Sequence, residues 1–183
     1  MTDDRPWYRE PETFIAVAAL IVSVTAVVVG IYEASLQRKH DRAEVWPHLE
    51  ISTFITPQGA AVKLANNGIG PAIVHSITVT VDGKPQPSWS DALATLEGHP
   101  APPFSNSTVT EHAFRAGDET TIVAIAQKDL PPGFWQWVGR VALSVCYSSV
   151  YGESWRVSDN HLGGNSVWTS VEQCPPQPKG VDL

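Results

Sequence analysis

The sequence predicts a mainly β protein: one N-terminal transmembrane α-helix followed by an antiparallel β-sandwich. Three observations predict it. A 19-residue stretch near the N-terminus carries no charge. Beyond residue 48, apolar residues recur at every second position. Gly, Pro and Asp turns punctuate those runs, with no helical period among them.

The uncharged stretch is "FIAVAALIVSVTAVVVGIY", Phe14 to Tyr32. At about 1.5 Å per residue, a helix of this length nearly crosses a hydrocarbon core of roughly 30 Å. A cleaved signal peptide would start basic, carry a shorter apolar run and end on small residues. Here "MTDDRPWYREPET" holds four acids against two arginines, and no A-x-A-like site follows Gly30. The core helix of a soluble protein is the other alternative, and the uncharged length near a terminus weighs against it. The span is therefore read as retained. Good helix formers in "EASLQRKHDRAEV", with no breaker before Pro47, prolong it. Residues 13–44 are expected to form one helix after a short acidic tail at 1–12. Trp7, Tyr8 and Tyr32 suit interfacial belts.

Orientation rests on the lysines and arginines beside the span. Arg5 and Arg9 precede it; Arg38, Lys39 and Arg42 follow it, with His40 among them. The tight "QRKHDR" cluster resists translocation, so the expectation is N-terminus out and the main domain in the cytoplasm. The competing arrangement holds the tail inside and the domain outside. That version would permit a disulfide between Cys146 and Cys174, whose pairing the sequence leaves open.

From His48 the pattern changes to alternation. "LEISTFI", "AVKLAN", "SITVTVDGK", "ETTIVAIA" and "GRVALSVCYSSVYGESWRV" supply six or seven short strands, the last bending at Gly152. These place the sandwich at 45–168. Between Pro85 and Asn106 lies a long connection rich in Pro, Ser and Ala, with one short helix expected at "SDALATL". "VEQCPPQPKGVDL" reads as the body of a proline-extended tail, 169–183.

Composition excludes some functions. A net charge of -7, with no Lys/Arg-rich patch after residue 42, argues against nucleic acid, because phosphate contacts need clustered cations. With 43% apolar and 17% charged residues, wholesale disorder is not expected.

Two resemblances follow from the quoted segments. The order "WPHLEI … VKLANNGIGPAIVHSITVTVDGK … FRAGDETTIV … VALSVCYSSVYGESW" resembles bacterial Ig-like sandwich modules related to cell adhesion, which implies an Ig-like sandwich. The junction "RKHDRAEVWPHL" with "NNGIGPAIV" is similar to a group of bacterial single-pass membrane proteins. In these, a basic helix end precedes an N-x-G-x-G-P-A segment. His40, Arg42, Pro47, Leu49, Asn66, Gly68, Gly70, Pro71 and Ala72 match, while Asp41 and Trp46 depart. The resemblance implies a bacterial cytoplasmic membrane and an architecture, and no activity.

"LANNGIGPAIV" invites a dinucleotide reading, since Gly68 and Gly70 begin G-x-G-x-x-G. The third position is Ile73, and the segment leads into another strand, so no helix N-terminus awaits a pyrophosphate. Asn67, Gly68, Gly70 and Pro71 are read as a structural turn. Asn67 and Gly68 would take positive φ, Gly70 would allow close backbone approach, and Pro71 would start a strand.

The six histidines make no H-E-x-x-H or other short pair, and no cysteine lies near one in sequence, so neither a metal nor a cofactor is expected. G-x-S-x-G and S-x-x-K are absent, and no catalytic residue is assigned. In "LPPGFWQWVG", alternation puts Trp135 and Trp137 on the same face. Core packing is the ordinary reading of Phe134, Trp135 and Trp137; exposed tryptophans there would be a partner contact. In the span, Ala16, Ala19, Ser23, Ala26 and Gly30 fall at intervals of three and four. Such a small-residue seam lets helices approach closely in lipid.

The expectation for function is a membrane-anchored, non-enzymatic interaction module. Its partners would be the bilayer, a second copy or another membrane protein through the helix, and protein through the loops or a sheet edge. The alternative is a ligand-binding sensor whose pocket is built from Pro85–Asn106 and the tryptophan loop.

Overall fold

The computed structural model describes residues 11–98, 100–181 and 183. Most of the acidic tail, with Arg5, Trp7, Tyr8 and Arg9, lies outside the described residues, as does His99. The chain divides into two units, one up to Ala43 and one from Glu44 onward.

The first unit is α1, Pro11–Glu44, a single 34-residue helix. Proline suits its first position, where the missing N–H has no helical partner in any case. The section Pro11–Arg38 is long and apolar enough to cross a membrane. Its hydroxyls are satisfied inside the helix: Ser23 Oγ donates to Ala19 O and Thr25 Oγ1 to Ile21 O, each at 2.8 Å. A span can therefore carry them in lipid without leaving a polar group unpaired.

The second unit is two antiparallel sheets. One runs in the order β1 (Leu49–Thr56), β2 (Gly59–Asn66), β7 (Glu119–Ala126), β5 (Ser105–Asn106). The other runs β10 (Val167–Val171), β9 (Ser154–Asp159), β8 (Val141–Ser148), β3 (Ala72–Val81), β4 (Lys84–Gln86), and β6 (Ala113–Phe114) pairs with the start of β3. Alternation along each strand sends one row inward. Leu49, Leu64, Val74, Val79, Leu143, Val145 and Tyr147 are all buried in one cluster. Each fully buried aliphatic side chain there contributes about 1.5–3 kcal/mol. The Asp82-Gly83 turn joins β3 to β4 with both residues at positive φ, the type I′ signature of a two-residue hairpin. Arg140 clamps it, its Nη2 donating to Asp82 Oδ2 at 2.6 Å and its Nε to Oδ1 at 2.9 Å. That hydrogen-bonded guanidinium holds the Asp82 carboxyl below its usual range.

α2, Trp89–Glu97, lies in the long connection after β4. Ser88 caps it by accepting the Asp91 N–H at 3.1 Å, and Gly98 ends it at φ 73°.

The tail expected at 169–183 is a correction. Residues 169–171 belong to β10, and Cys174 is bonded to Cys146 of β8. Gln177 Oε1 accepts the Ile77 N–H at 2.9 Å, and Leu183 is buried in the main cluster. The prolines do keep Pro175 to Pro178 out of regular structure, but the cross-link and these contacts pin the segment to the second sheet.

Candidate functional site

The N-x-G-x-G-P-A segment is built around Asn66, the last residue of β2, which is 0% exposed. Its Nδ2 donates to Gly70 O at 2.8 Å and to Phe114 O at 3.1 Å. Its Oδ1 accepts the N–H groups of His48 and Gly68, both at 3.1 Å. One amide thus joins the chain leaving α1, the turn after β2 and the strand before β7. Every hydrogen-bonding site that a primary amide offers in such a pocket is used.

The reason for the glycines differs from expectation. Neither Asn67, Gly68 nor Gly70 is among the residues at positive φ. What the two glycines supply is room. A Cβ at Gly68 would come within 2.5 Å of Trp46 O, and one at Gly70 would overlap the carbonyl of Val45. The N–H groups of Ile69 and Gly70 both donate to Trp46 O, and Asn67 N–H donates to His48 O at 2.8 Å. Pro71 then precedes β3. The stretch 66–71 is a cradle for the backbone of residues 45–48.

The tryptophan loop is also a correction. Phe134–Val138 is a short helix, α3, and not an alternating strand. Helical spacing of three puts Phe134 and Trp137 together, with ring centroids 5.6 Å apart, against Leu93 and Ile125. Trp137 is 5% exposed, whereas Trp135, two residues away, is 69% exposed. Core packing, the ordinary reading, therefore holds for Trp137 and for the partly buried Phe134, while Trp135 stands in solvent as the remaining candidate partner contact. The Pro131-Pro132-Gly133 turn starts the helix, with Phe134 N–H donating to Pro131 O.

In α1, Ala16, Ala19, Ser23, Ala26 and Gly30 lie on one continuous helix, and no Cβ added at Gly30 would meet another atom within 4 Å. Their spacing of three and four sums to seven, the repeat of a left-handed crossing.

The sheet edges differ in protection. At β1, the outward carbonyls of Leu49 and Ile51 accept the Trp168 indole N–H at 2.7 Å and the Ser166 hydroxyl at 3.3 Å. Trp168 is itself stacked on His48, their centroids 4.5 Å apart. β5 has two residues, and β4 has three, including Lys84 and Pro85. β10 is different: "VWTSV" has neither charge nor proline, and its first four residues are exposed. Among the described residues, its backbone ladder runs to β9 alone. Natural edges are ordinarily blunted by charge, proline or brevity, and β10 has none of these.

Among the described residues of this unit, Tyr147 is the one titratable group with a large displacement. It is 1% exposed, and burial pushes its phenol up to about 12, against a hydrogen bond from the Leu49 backbone that works the other way. Among the described residues, no three His, Cys, Asp or Glu side chains are gathered as a metal-ligand group. Asn66, Trp168 and β10 escaped the sequence reading. Asn66 sat in the quoted motif, but its role depends on Gly70, His48 and Phe114, which no local pattern links to it.

Compared with models of protein families, with curated proteins and with solved structures, the chain shows no match.

Proposed function

We propose that the protein is a single-pass protein of a bacterial cytoplasmic membrane that holds an Ig-like sandwich as a non-enzymatic module for binding protein. The observation that carries the reading is β10, an uncharged five-residue edge strand without proline. Such an edge takes an extended segment of a partner by strand addition, with main-chain hydrogen bonds supplying affinity. The exposed Trp135 is a second, side-chain anchor. Through the seam from Ala16 to Gly30 the helix associates with a copy of itself or with another membrane protein.

We place the sandwich on the oxidising side of the membrane, opposite to the cytoplasmic expectation. The support is the Cys146–Cys174 disulfide, since such bonds persist outside the cytosol and are rare within it. Against this stands a margin of one cation between the flanks of the span, three after it and two before. The disulfide is the stronger constraint, because a margin of one is easily outweighed. A membrane-impermeant maleimide should label Lys84→Cys in intact cells; labelling only after lysis would put the domain in the cytoplasm.

Strand addition is tested by a photo-crosslinking side chain at Thr169, with the same group at Lys84 as a control. The expected result is a protein adduct of defined mass from position 169, absent from position 84 and lost with Val167→Lys. Equal adducts from both positions would overturn the reading.

A further inference from the structure

The second sheet buries one face in the core and turns the other outward. Ile77, Val79, Leu143, Val145 and Val157 are core residues, so the positions alternating with them point away from it. Register sets these in two rows across β3, β8 and β9. Ser76, Cys146 and Arg156 form one row; Thr78, Ser144 and Ser158 form the next. Neighbouring strands lie about 4.8 Å apart, so each row spans about 10 Å. The Cys146–Cys174 bond brings the C-terminal segment onto the first row, where Pro175 makes a wall. The two rows and this wall line a groove of about 340 Å³.

The lining holds four hydroxyls and one guanidinium, with no acidic and no aromatic side chain. Arg156 is exposed and makes no ion pair or side-chain hydrogen bond among the described residues, whereas Lys63 is paired with Glu119 and Arg140 with Asp82. Ser76 is 6% exposed, and its hydroxyl likewise has no partner among the described residues. Ser158 Oγ donates to Ser144 Oγ at 3.2 Å, which leaves the Ser144 proton for a guest. A free guanidinium is a planar fork that matches a carboxylate in bidentate fashion. Hydroxyls donate and accept at once, which suits a guest rich in hydroxyls. One cation offsets one negative charge, and a chain of net charge -7 disfavours a more highly charged guest. The volume is a little over twice the roughly 150 Å³ that admits benzene, enough for about a dozen non-hydrogen atoms.

We propose that the outward face of the second sheet binds a polyhydroxylated monocarboxylate, a sugar acid of the size of glucuronate. The Arg156 guanidinium donates to its carboxylate, and the hydroxyls of Ser76, Thr78 and Ser144 bond to its hydroxyls. The site uses the face of the sheet, so it is independent of the β10 edge and of strand addition there.

The test is a titration of the full chain in phosphatidylcholine nanodiscs with glucuronate, followed by NMR of the Arg156 Nε–H and the Ser144 and Ser158 amides. The Arg156 signal, identified by its loss in Arg156→Gln, should shift and saturate together with the two amides. Glucose, which has the hydroxyls alone, and acetate, which has the carboxylate alone, should each bind about tenfold more weakly or worse. Arg156→Gln should abolish saturation of the amides. Arg156→Lys keeps the charge and loses the fork, so it should weaken glucuronate about tenfold. Thr78→Ala should weaken glucuronate about fivefold, the factor for one neutral hydrogen bond, and leave acetate unchanged. Both positions are exposed, so these variants should melt with the parent. A shift that never saturates would overturn the proposal. So would equal affinity for acetate or inorganic phosphate, or glucuronate binding that survives Arg156→Gln.

Discussion

Gly70 and the carbonyl oxygen of Val45 lie so close that any Cβ at position 70 would overlap that oxygen. The chain leaving α1 is therefore seated against a turn 25 residues downstream, and the seat exists only while positions 68 and 70 carry no side chain.

Gly70→Ala should destabilise the sandwich by about 2–3 kcal/mol or more, because backbone and not a flexible side chain must move. Gly139→Ala is the matched control. Its φ is -81° and nothing lies within 4 Å of the added atom, so stability should hold or rise by up to about 1 kcal/mol. Denaturant midpoints of the two variants check this; equal losses would refute the steric account.

The two tryptophans of α3 should separate cleanly. Trp137→Ala removes a buried ring and is expected to cost about 3–5 kcal/mol. Trp135→Ala should leave stability within about 0.5 kcal/mol of the parent, as for other exposed positions. Thermal melts of both variants provide the measurement.

Reduction of Cys146–Cys174 frees a segment that the bond closes over a sequence separation of 28. In the chain-entropy account that loop contributes roughly 3–4 kcal/mol. Melting with and without reductant should show a corresponding fall, and Cys146→Ala should melt alike in both buffers. Protease should then cut first near Gln173 to Pro178, which the bond holds against β8.

Tyr147 predicts an alkaline limit. Its folded value of about 12 lies above the ordinary tyrosine value of about 10, so the folded state favours the neutral phenol. Its contribution is complete below pH 10 and is lost as pH rises through 12, amounting to roughly 2–3 kcal/mol over that window. Absorbance at the phenolate band should show one tyrosine titrating late, and Tyr147→Phe should flatten the fall in stability above pH 10.

Helix association through the seam predicts that Ala19→Leu or Ser23→Leu lowers the signal in a membrane dimerisation assay severalfold. Leu20→Ala, off the seam, should leave it unchanged. Ser23 already bonds within its own helix to Ala19 O, so Ser23→Ala should also be tolerated. An unchanged signal in both leucine variants would remove the seam.

What the amino-acid order determined by itself is what short-range periodicity encodes. An uncharged run from Phe14 to Tyr32 needs no distant partner to form a helix long and apolar enough to cross a membrane, because that property rests on local hydropathy and length. Alternation in β1, β2, β3, β7, β8 and β9 is likewise local, as are the Asp82-Gly83 turn and the short helix expected at "SDALATL". Tertiary structure decided whatever depends on a contact between residues remote in sequence. It chose helix over strand for Phe134–Val138 because Leu93 and Ile125 offered a pocket for one helical face. It bonded Cys174 to Cys146 and turned an expected tail into β10 and a pinned segment. It also gave Gly68 and Gly70 their reason, which is the space beside Val45 and Trp46 and not a positive φ. Local patterns report which face a side chain takes along its own element, and these features depend on what lies across from that face.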